Sequence, residues 1–354
     1  MRDKSLEFFK VLISAPSPSG YEQPAQELVR AYAGDFADEV RTDVHGNVIA
    51  VRNAEAPVRV MLAGHVDQVG LMVQHIDDAG MLNIAGIGGV DAKVLIAQRV
   101  IVHAAKQPIA GVIGRKPIHL LPAEERAKEK VEVADLWVDI GAKNKAAAEK
   151  LVAVGDPITY DLHYTPLLQD LIAAPGCDDK VGVFVVMEAL RLVPKSRLKC
   201  AVHAVSTVQE ELGLRGARTS AFGIDPHAGI AVDVTHATDY PGVEAKRTGK
   251  VDIRKGPSLA RGANINPVLR DILVKAAEAR KVPYQNDPAP GGTGTDANAI
   301  QINRAGVAAA LVSIPNRYMH TPVEVISLLD LENAAKLIAE ALTRIDEATD
   351  FTPR

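Results

Sequence analysis

Aromatic side chains make up only 4% of the 354 residues, so the chain offers no evident stacking platform for bases or sugars. Cysteine is scarcer still. Cys177 and Cys200 have neither the number nor the spacing of a disulfide framework or a zinc-thiolate knuckle, and two free thiols suit a reducing compartment. No apolar run approaches the roughly 18 residues a membrane span needs, and Met1-Arg2-Asp3-Lys4-Ser5-Leu6-Glu7 lacks the apolar core of a signal peptide. Positive charge is not in excess: a net charge of -4 and a pI near 6.2 argue against nucleic acid or an anionic membrane as partner. What remains is the composition of an ordinary globular protein, 47% apolar and 24% charged, long enough for one large domain or two. The expected setting is cytoplasmic.

Apolar spacing divides the chain into three stretches. Leu6, Phe9 and Ile13 recur at helical spacing up to Ala15-Pro16-Ser17-Pro18-Ser19-Gly20, and a second helix follows from Gln23 to Tyr32. Runs from Asn47 to Arg52 and from Val58 to Ala63 read as strands, the second delivering Gly64-His65-Val66-Asp67 at its carboxyl end, where ligands bind in open α/β sheets. From about Gly70 to Tyr160, short Val/Ile runs at 69–76, 82–87, 100–103, 109–113 and 136–140 suggest a small all-β barrel. The charged run from Ala123 to Lys130 within it reads as a solvated face. Helices and strands then alternate again: helix 178–192, strand 198–205, helix 213–221, strand 228–234, helix 267–280, strand 306–314 and a closing helix over about 330–345. The expected fold is α/β, with one domain formed by residues 1–70 and 161–354 and a small β-barrel inserted at 71–160.

Metal-capable side chains gather at the ends of these elements: His65 and Asp67, Asp178 and Asp179, Glu210 and Glu211, Asp233, and His320. Singly, each has an ordinary reading. A histidine after a strand is commonly a satisfied loop residue, and Asp178-Asp179 would serve as a helix N-cap. Adjacent Glu210 and Glu211 are harder to dismiss, because neighbouring carboxylates repel and become costlier to ionise when buried. Together the groups meet the needs of a two-metal hydrolytic centre, in which cations about 3.5–4 Å apart share a carboxylate and a water. The charge of two divalent ions is balanced by Asp178, Asp233, Glu211 and a shared hydroxide, which leaves Glu210 to take a proton. Neutral His65 and His320 then give each metal one nitrogen, beside a terminal carboxylate and a share of Asp178. The adjacent glutamates do not suit glycoside hydrolysis, whose carboxyl groups flank a sugar about 5–9 Å apart.

The sequence resembles the M42 metallo-aminopeptidases, the glutamyl or tetrahedral (TET) aminopeptidase group. The matching segments are Gly64-His65-Val66-Asp67-Gln68-Val69-Gly70, Cys177-Asp178-Asp179-Lys180-Val181-Gly182, Val208-Gln209-Glu210-Glu211-Leu212-Gly213-Leu214-Arg215-Gly216-Ala217, Ala231-Val232-Asp233-Val234-Thr235 and Tyr318-Met319-His320-Thr321-Pro322, similar in order and spacing over nearly the whole chain. The resemblance implies a mixed-sheet co-catalytic metallopeptidase domain whose inserted barrel mediates dimerisation, with dimers assembling into a tetrahedral dodecamer. By position it implies His65, Asp178 and Asp233 as ligands of one metal, and Asp178, Glu211 and His320 as ligands of the other, with Asp178 bridging. It further implies Glu210 as general base and Asp67 as the carboxylate that orients the ligand histidine. Gly291-Gly292-Thr293-Gly294-Thr295-Asp296 resembles the family's loop near the substrate pocket, and it lacks the Gly-Lys-Ser/Thr ending of a phosphate cradle. Thr235 and His236 follow a ligand strand and are expected at the pocket rim. Cys177 reads as a small packing residue, and the remaining histidines as core or surface.

The expected chemistry is peptide hydrolysis: one cation polarises the carbonyl while Glu210 deprotonates the shared water and passes the proton to the leaving amine. Restriction to the N-terminal residue of short peptides is implied by the family. The spacing alone gives a metal-dependent amidohydrolase, leaving open a related co-catalytic carboxypeptidase or deacylase, or a non-catalytic oligomer whose metals only hold the fold. A nitrogen and oxygen ligand set without thiolate accommodates zinc, cobalt or manganese.

Overall fold

The computed structural model describes residues 1–120 and 130–354. Among the described residues the apolar runs pair into one mixed sheet of eight strands, in the order Glu39–Thr42, Val48–Arg52, Ala201–Thr207, Arg59–His65, Ala228–His236, Ala308–Asn316, Ser258–Gly262 and Gln285–Ala289. The third to sixth of these run parallel. Both of their faces are covered, which is why they read as continuous Val/Ile/Ala runs rather than as alternating ones. Along Arg59–His65, Val60 and Leu62 pack in one apolar cluster with Phe184 of helix Cys177–Leu192 and Leu331 of helix Leu328–Leu342. Met61 and Ala63 point the other way, to Ala217 and Ala221 of helix Arg215–Ile224 and Ile300 of helix Asp296–Gln301.

Between Arg59–His65 and Cys177–Leu192 the chain leaves the sheet and closes a barrel, in the order Gly70–Ile76, Leu82–Ile87, Trp137–Asp139, Pro108–Gly114, Arg99–His103 and Pro157–Tyr160. Side chains alternate as a barrel requires: Val100 and Val102 are buried with Leu71, Ile84, Val138 and Ile158, while Arg99 turns out to solvent. Pro157–Tyr160 has no clear signature in the sequence, yet it completes the closure by pairing with Gly70–Ile76 and Arg99–His103. The α/β fold with a mixed sheet and an inserted barrel is as expected. Residues 123–129 of the charged run lie outside the described residues.

Element boundaries differ where backbone geometry intervenes. The strand expected at 198–205 is Ala201–Thr207, because a 3-10 turn at Lys195–Arg197 delays its start. The helix expected at 213–221 is Arg215–Ile224, since Gly213 and Leu214 have φ of 109° and 60°, outside the helical region. The closing helix starts at Leu328, two residues earlier than expected, because the Ser327 side chain accepts the amides of Leu329 and Asp330. Gln285–Ala289 is polar and contains Pro288, tolerable because it is an edge strand. Among the described residues no helix is long and apolar enough to cross a membrane.

Candidate metal centre

The parallel register places Thr207 beside His65 and Asp233 beside Ser313. Three strands thereby deliver His65, the loop after Thr207 and Asp233 to one edge of the sheet. Asp178 enters from the first turn of Cys177–Leu192, where it and Asp179 have non-helical dihedrals, and His320 from the turn after Ala308–Asn316. Helix and strand approach very closely here. A Cβ on Gly64 would stand 2.4 Å from the Gly182 carbonyl carbon, and one on Gly182 would stand 2.1 Å from Asp179 Oδ2. Only glycine fits, which gives Gly64 and Gly182 a physical reason to accompany His65 and Asp178.

Main-chain carbonyls hold both histidines: His65 Nδ1 donates to Asp67 O at 3.0 Å and His320 Nδ1 to Gly89 O at 3.1 Å. Each Nε2 is therefore the ring atom presented to the carboxylates. His65 Nε2 lies 3.1 Å from Asp178 Oδ1, 3.8 Å from Glu210 Oε2 and 3.9 Å from Asp233 Oδ1. His320 Nε2 lies 3.0 Å from Asp178 Oδ2 and 3.4 Å from Glu211 Oε1. Two groups of ligand-capable atoms result, His65 with Asp178 and Asp233, and Asp178 with Glu211 and His320, the atoms of each lying within 4.8 Å of one another. Imidazole nitrogens and carboxylate oxygens at these distances need a shared cation or proton between them. Glu211 Oε1 is moreover buried without a hydrogen-bond partner among the described residues. Such a nitrogen and oxygen donor set fits divalent metal ions. Cys177 stays apart, its buried Sγ directed to the carbonyls of Ala174 at 3.6 Å and Glu324 at 3.8 Å.

Burial dominates the electrostatics. It pulls His65 down, yet the Glu210, Asp178, Asp67 and Asp233 carboxylates hold that imidazole well above the usual histidine range. The Asp178 and Glu211 carboxylates facing its Nε2 push His320 up to about 11. Against the effect of burial, His320 and His65 keep the Asp178 carboxyl below the usual range, whereas burial raises Asp233. Burial also pushes Glu210 up to about 9, with Asp233, Asp296 and Glu211 adding to it and His65 opposing.

Residues outside the two ligand groups hold this arrangement in place, and of these the sequence singles out Asp67 and Asp179 alone. Glu324 is buried, its Oε2 accepting the Asp178 amide at 3.0 Å and its Oε1 the His320 amide at 2.7 Å. Asp179 Oδ2 accepts the His65 amide at 3.1 Å. The Asp67 carboxylate, 3.5 Å from His65 Nδ1, accepts the amides of Glu210 at 2.9 Å and Glu211 at 3.2 Å and the Ser19 hydroxyl at 2.6 Å. Asn47 Oδ1 takes the Val208 amide at 3.1 Å, and Glu22 Oε1 takes that of Gln209 at 3.2 Å. Four consecutive N–H groups, 208 to 211, thus end on side-chain oxygens. For Glu22 and Glu324 the only trace in the sequence is a carboxylate, at the end of Ser19-Gly20-Tyr21-Glu22 and four positions after His320.

The cluster opens into a cavity of about 270 Å³ whose wall also includes Val234, Thr235, His236, Thr293, Gly294, Thr295 and Met319. Five residues expected at the substrate pocket, Thr235, His236, Thr293, Gly294 and Thr295, are brought together there. Gly292 and Asp296 stand outside the wall: Gly292 is exposed, and Asp296 is buried with its Oδ2 accepting the Thr207 hydroxyl at 2.6 Å.

The family model for the M42 glutamyl aminopeptidases matches residues 46–337. The chain belongs to the M42 family. It is 40% identical over 351 residues to the lysyl aminopeptidase of Pyrococcus furiosus, covering 98% of this chain and 99% of that protein. The solved TET aminopeptidase of a marine-sediment Thaumarchaeota archaeon matches with a TM-score of 0.92 at 36% identity, over 98% of this chain and 97% of the other. The TET1 peptidase of Pyrococcus horikoshii, which can assemble into a tetrahedron or a large octahedral shell, matches with a TM-score of 0.84 at 32% identity, over 96% and 99% of the two chains. This M42 chain is thus an aminopeptidase-family hydrolase of peptide bonds.

Proposed function

We propose that the chain is a dinuclear metal-dependent aminopeptidase that removes N-terminal residues from short peptides. His65, Asp178 and Asp233 would hold one cation, and Asp178, Glu211 and His320 the other. The observation that carries this reading is the pair of ligand groups joined at Asp178, with both imidazole Nε2 atoms turned toward it. Divalent cations held there would supply Lewis-acid polarisation of the scissile carbonyl and would lower the pKa of a bound water, and zinc, cobalt and manganese all suit the donors. The chain itself handles the proton. Glu210 belongs to neither ligand group, and its Oε2 lies 3.8 Å from His65 Nε2, so its carboxylate stands beside the centre, free to take a proton as the nucleophile forms and to return it to the leaving amine. The carbonyls of Asp67 and Gly89 fix the imidazole tautomers that leave Nε2 unprotonated.

Residues 1–70 and 161–354 make the peptidase domain in this reading, and residues 71–160 a dimerisation module. The assembly of the Pyrococcus horikoshii relative supports a homo-oligomer of such dimers, up to a tetrahedral dodecamer with a native mass near twelve times 37.7 kDa. The unpaired thiols of Cys177 and Cys200 accord with the cytoplasm.

Chelation should abolish release of p-nitroaniline from aminoacyl-p-nitroanilides, and added metal should restore it. Glu210→Gln is the sharper test: elemental analysis should find both metals retained while kcat falls at least ~10²-fold. Retained turnover with loss of one metal would exchange the roles of Glu210 and Glu211. Release of C-terminal residues or acyl groups without aminoacyl cleavage would replace this reading by that of a carboxypeptidase or deacylase.

A further inference from the structure

The two ligand groups are not held alike. In the first, His65 is fixed by Asp67 O at its Nδ1 and by Asp179 at its amide, and Asp233 Oδ1 accepts the Val234 amide at 2.7 Å. Among the described residues no barrel residue hydrogen-bonds or ion-pairs with His65 or Asp233. The second group leans on the barrel. Its strand Leu82–Ile87 runs into Gly88-Gly89-Val90, and the Gly89 carbonyl takes His320 Nδ1 at 3.1 Å. Gly88 lies against the other terminal ligand of the same group: a Cβ there would stand 3.3 Å from Glu211 Cβ and 3.0 Å from Val69 Cγ1, and Gly88 has a φ of 73°. Glycine alone takes that dihedral and that contact without strain. The loop is anchored in turn to the barrel. Val90 packs on the cluster that contains Leu71, Ile84 and Val138, and Asp91 Oδ1 accepts the Lys93 amide at 2.9 Å, capping the short helix Ala92–Leu95.

We propose that the barrel loop Gly88-Gly89 positions the ligands of one metal only, so that cation uptake by Asp178, Glu211 and His320 depends on the barrel and uptake by His65, Asp178 and Asp233 does not. This rests on the two-metal reading and goes beyond it by giving the barrel a part in the centre itself. An imidazole bonded at Nδ1 keeps its ring plane and tautomer, and a ligand oriented beforehand loses less freedom when it binds. His320 needs that bond more than His65 does, because its side chain is 35% exposed against 2% for His65. A shift of the loop would swing His320 Nε2 away from Asp178 Oδ2, now at 3.0 Å, and would crowd or release Glu211. His65 would stay where Asp67 and Asp179 hold it.

Calorimetric titration of the chelated, full-length protein with cobalt(II) counts the equivalents taken up and gives a Kd for each. In Gly88→Ala one equivalent should weaken about 10-fold or more, the usual cost of disturbing a ligand's outer partner, while the other stays within about 2-fold of wild type. Gly86→Ala is the control, since a Cβ there would meet nothing closer than Val90 at 3.8 Å, and it should titrate as the wild type does. Paired substitutions identify the equivalent: Gly88→Ala added to His320→Ala should cost nothing more, and added to His65→Ala it should weaken the equivalent that remains. If Gly88→Ala fails to fold, Asp91→Ala at its exposed cap decides the matter. Loss of that cap should weaken the same equivalent about 3-fold and spare the other, and a wild-type titration would then overturn the proposal. Equal weakening of both equivalents in Gly88→Ala, or of neither, overturns it while leaving the two-metal reading intact. A wild type that takes up a single equivalent overturns both.

Discussion

Glu210 can move a proton to a fixed place only if its own backbone is fixed. The amides of Val208, Gln209, Glu210 and Glu211 end on Asn47, Glu22 and, twice, Asp67, and Gln209 adopts a φ of 54°. Left-handed backbone at a residue other than glycine persists only when its surroundings hold it. Glu22 is the most exacting member of the set, because it is buried close to Asp67, and burial together with that like charge raises its carboxyl pKa. Glu22→Ala removes the acceptor of a mostly buried amide, a loss of about 1–3 kcal/mol. It should lower kcat about 10-fold or more while KM and metal content stay near wild type. Glu22→Gln keeps an oxygen acceptor and should restore most of the rate. Steady-state kinetics with elemental analysis would check this, and an alanine variant of wild-type kcat would sink it.

At the scale of elements, the contact between Arg59–His65 and Cys177–Leu192 sets how near Asp178 comes to His65. Gly64 lies against the Gly182 backbone, so Gly64→Ala must push helix and strand apart. Overpacking of this kind costs about 1–3 kcal/mol, and here the displacement also separates two proposed ligands. Denaturant midpoints and metal titration should both worsen. Gly223→Ala is the control: a Cβ there meets nothing within 4 Å on an exposed helical position, and stability should rise slightly, by up to about 1 kcal/mol. The same elements show what a sequence can reveal. His65, Asp178, Glu210, Glu211 and Asp233 were legible because an apolar run, or a change of period, ends just before or beside each of them. Glu324 and Glu22 were not, because they act through backbone amides, and amide direction depends on turns that residue types do not specify.

Across the whole molecule the candidate centre is assembled from distant segments. His320 alone is oriented by a carbonyl 231 positions away, that of Gly89 in the inserted barrel. The segments that carry the other proposed ligands are equally scattered, so an unfolded chain has no preformed site and metal binding is linked to folding. At free metal about 1,000 times Kd, linkage adds about 4 kcal/mol for each site. In a chain of this length that corresponds to a rise in Tm on the order of 5–10 °C. Calorimetry of metal-loaded and chelated protein should show this difference. Asp178→Asn should erase nearly all of it, since Asp178 alone belongs to both ligand groups. His236→Ala should leave it in place, because His236 lines the cavity but joins neither group. A metal-dependent Tm shift that survives Asp178→Asn would mean that the stabilising ion binds elsewhere, and the two-metal reading would have to be given up.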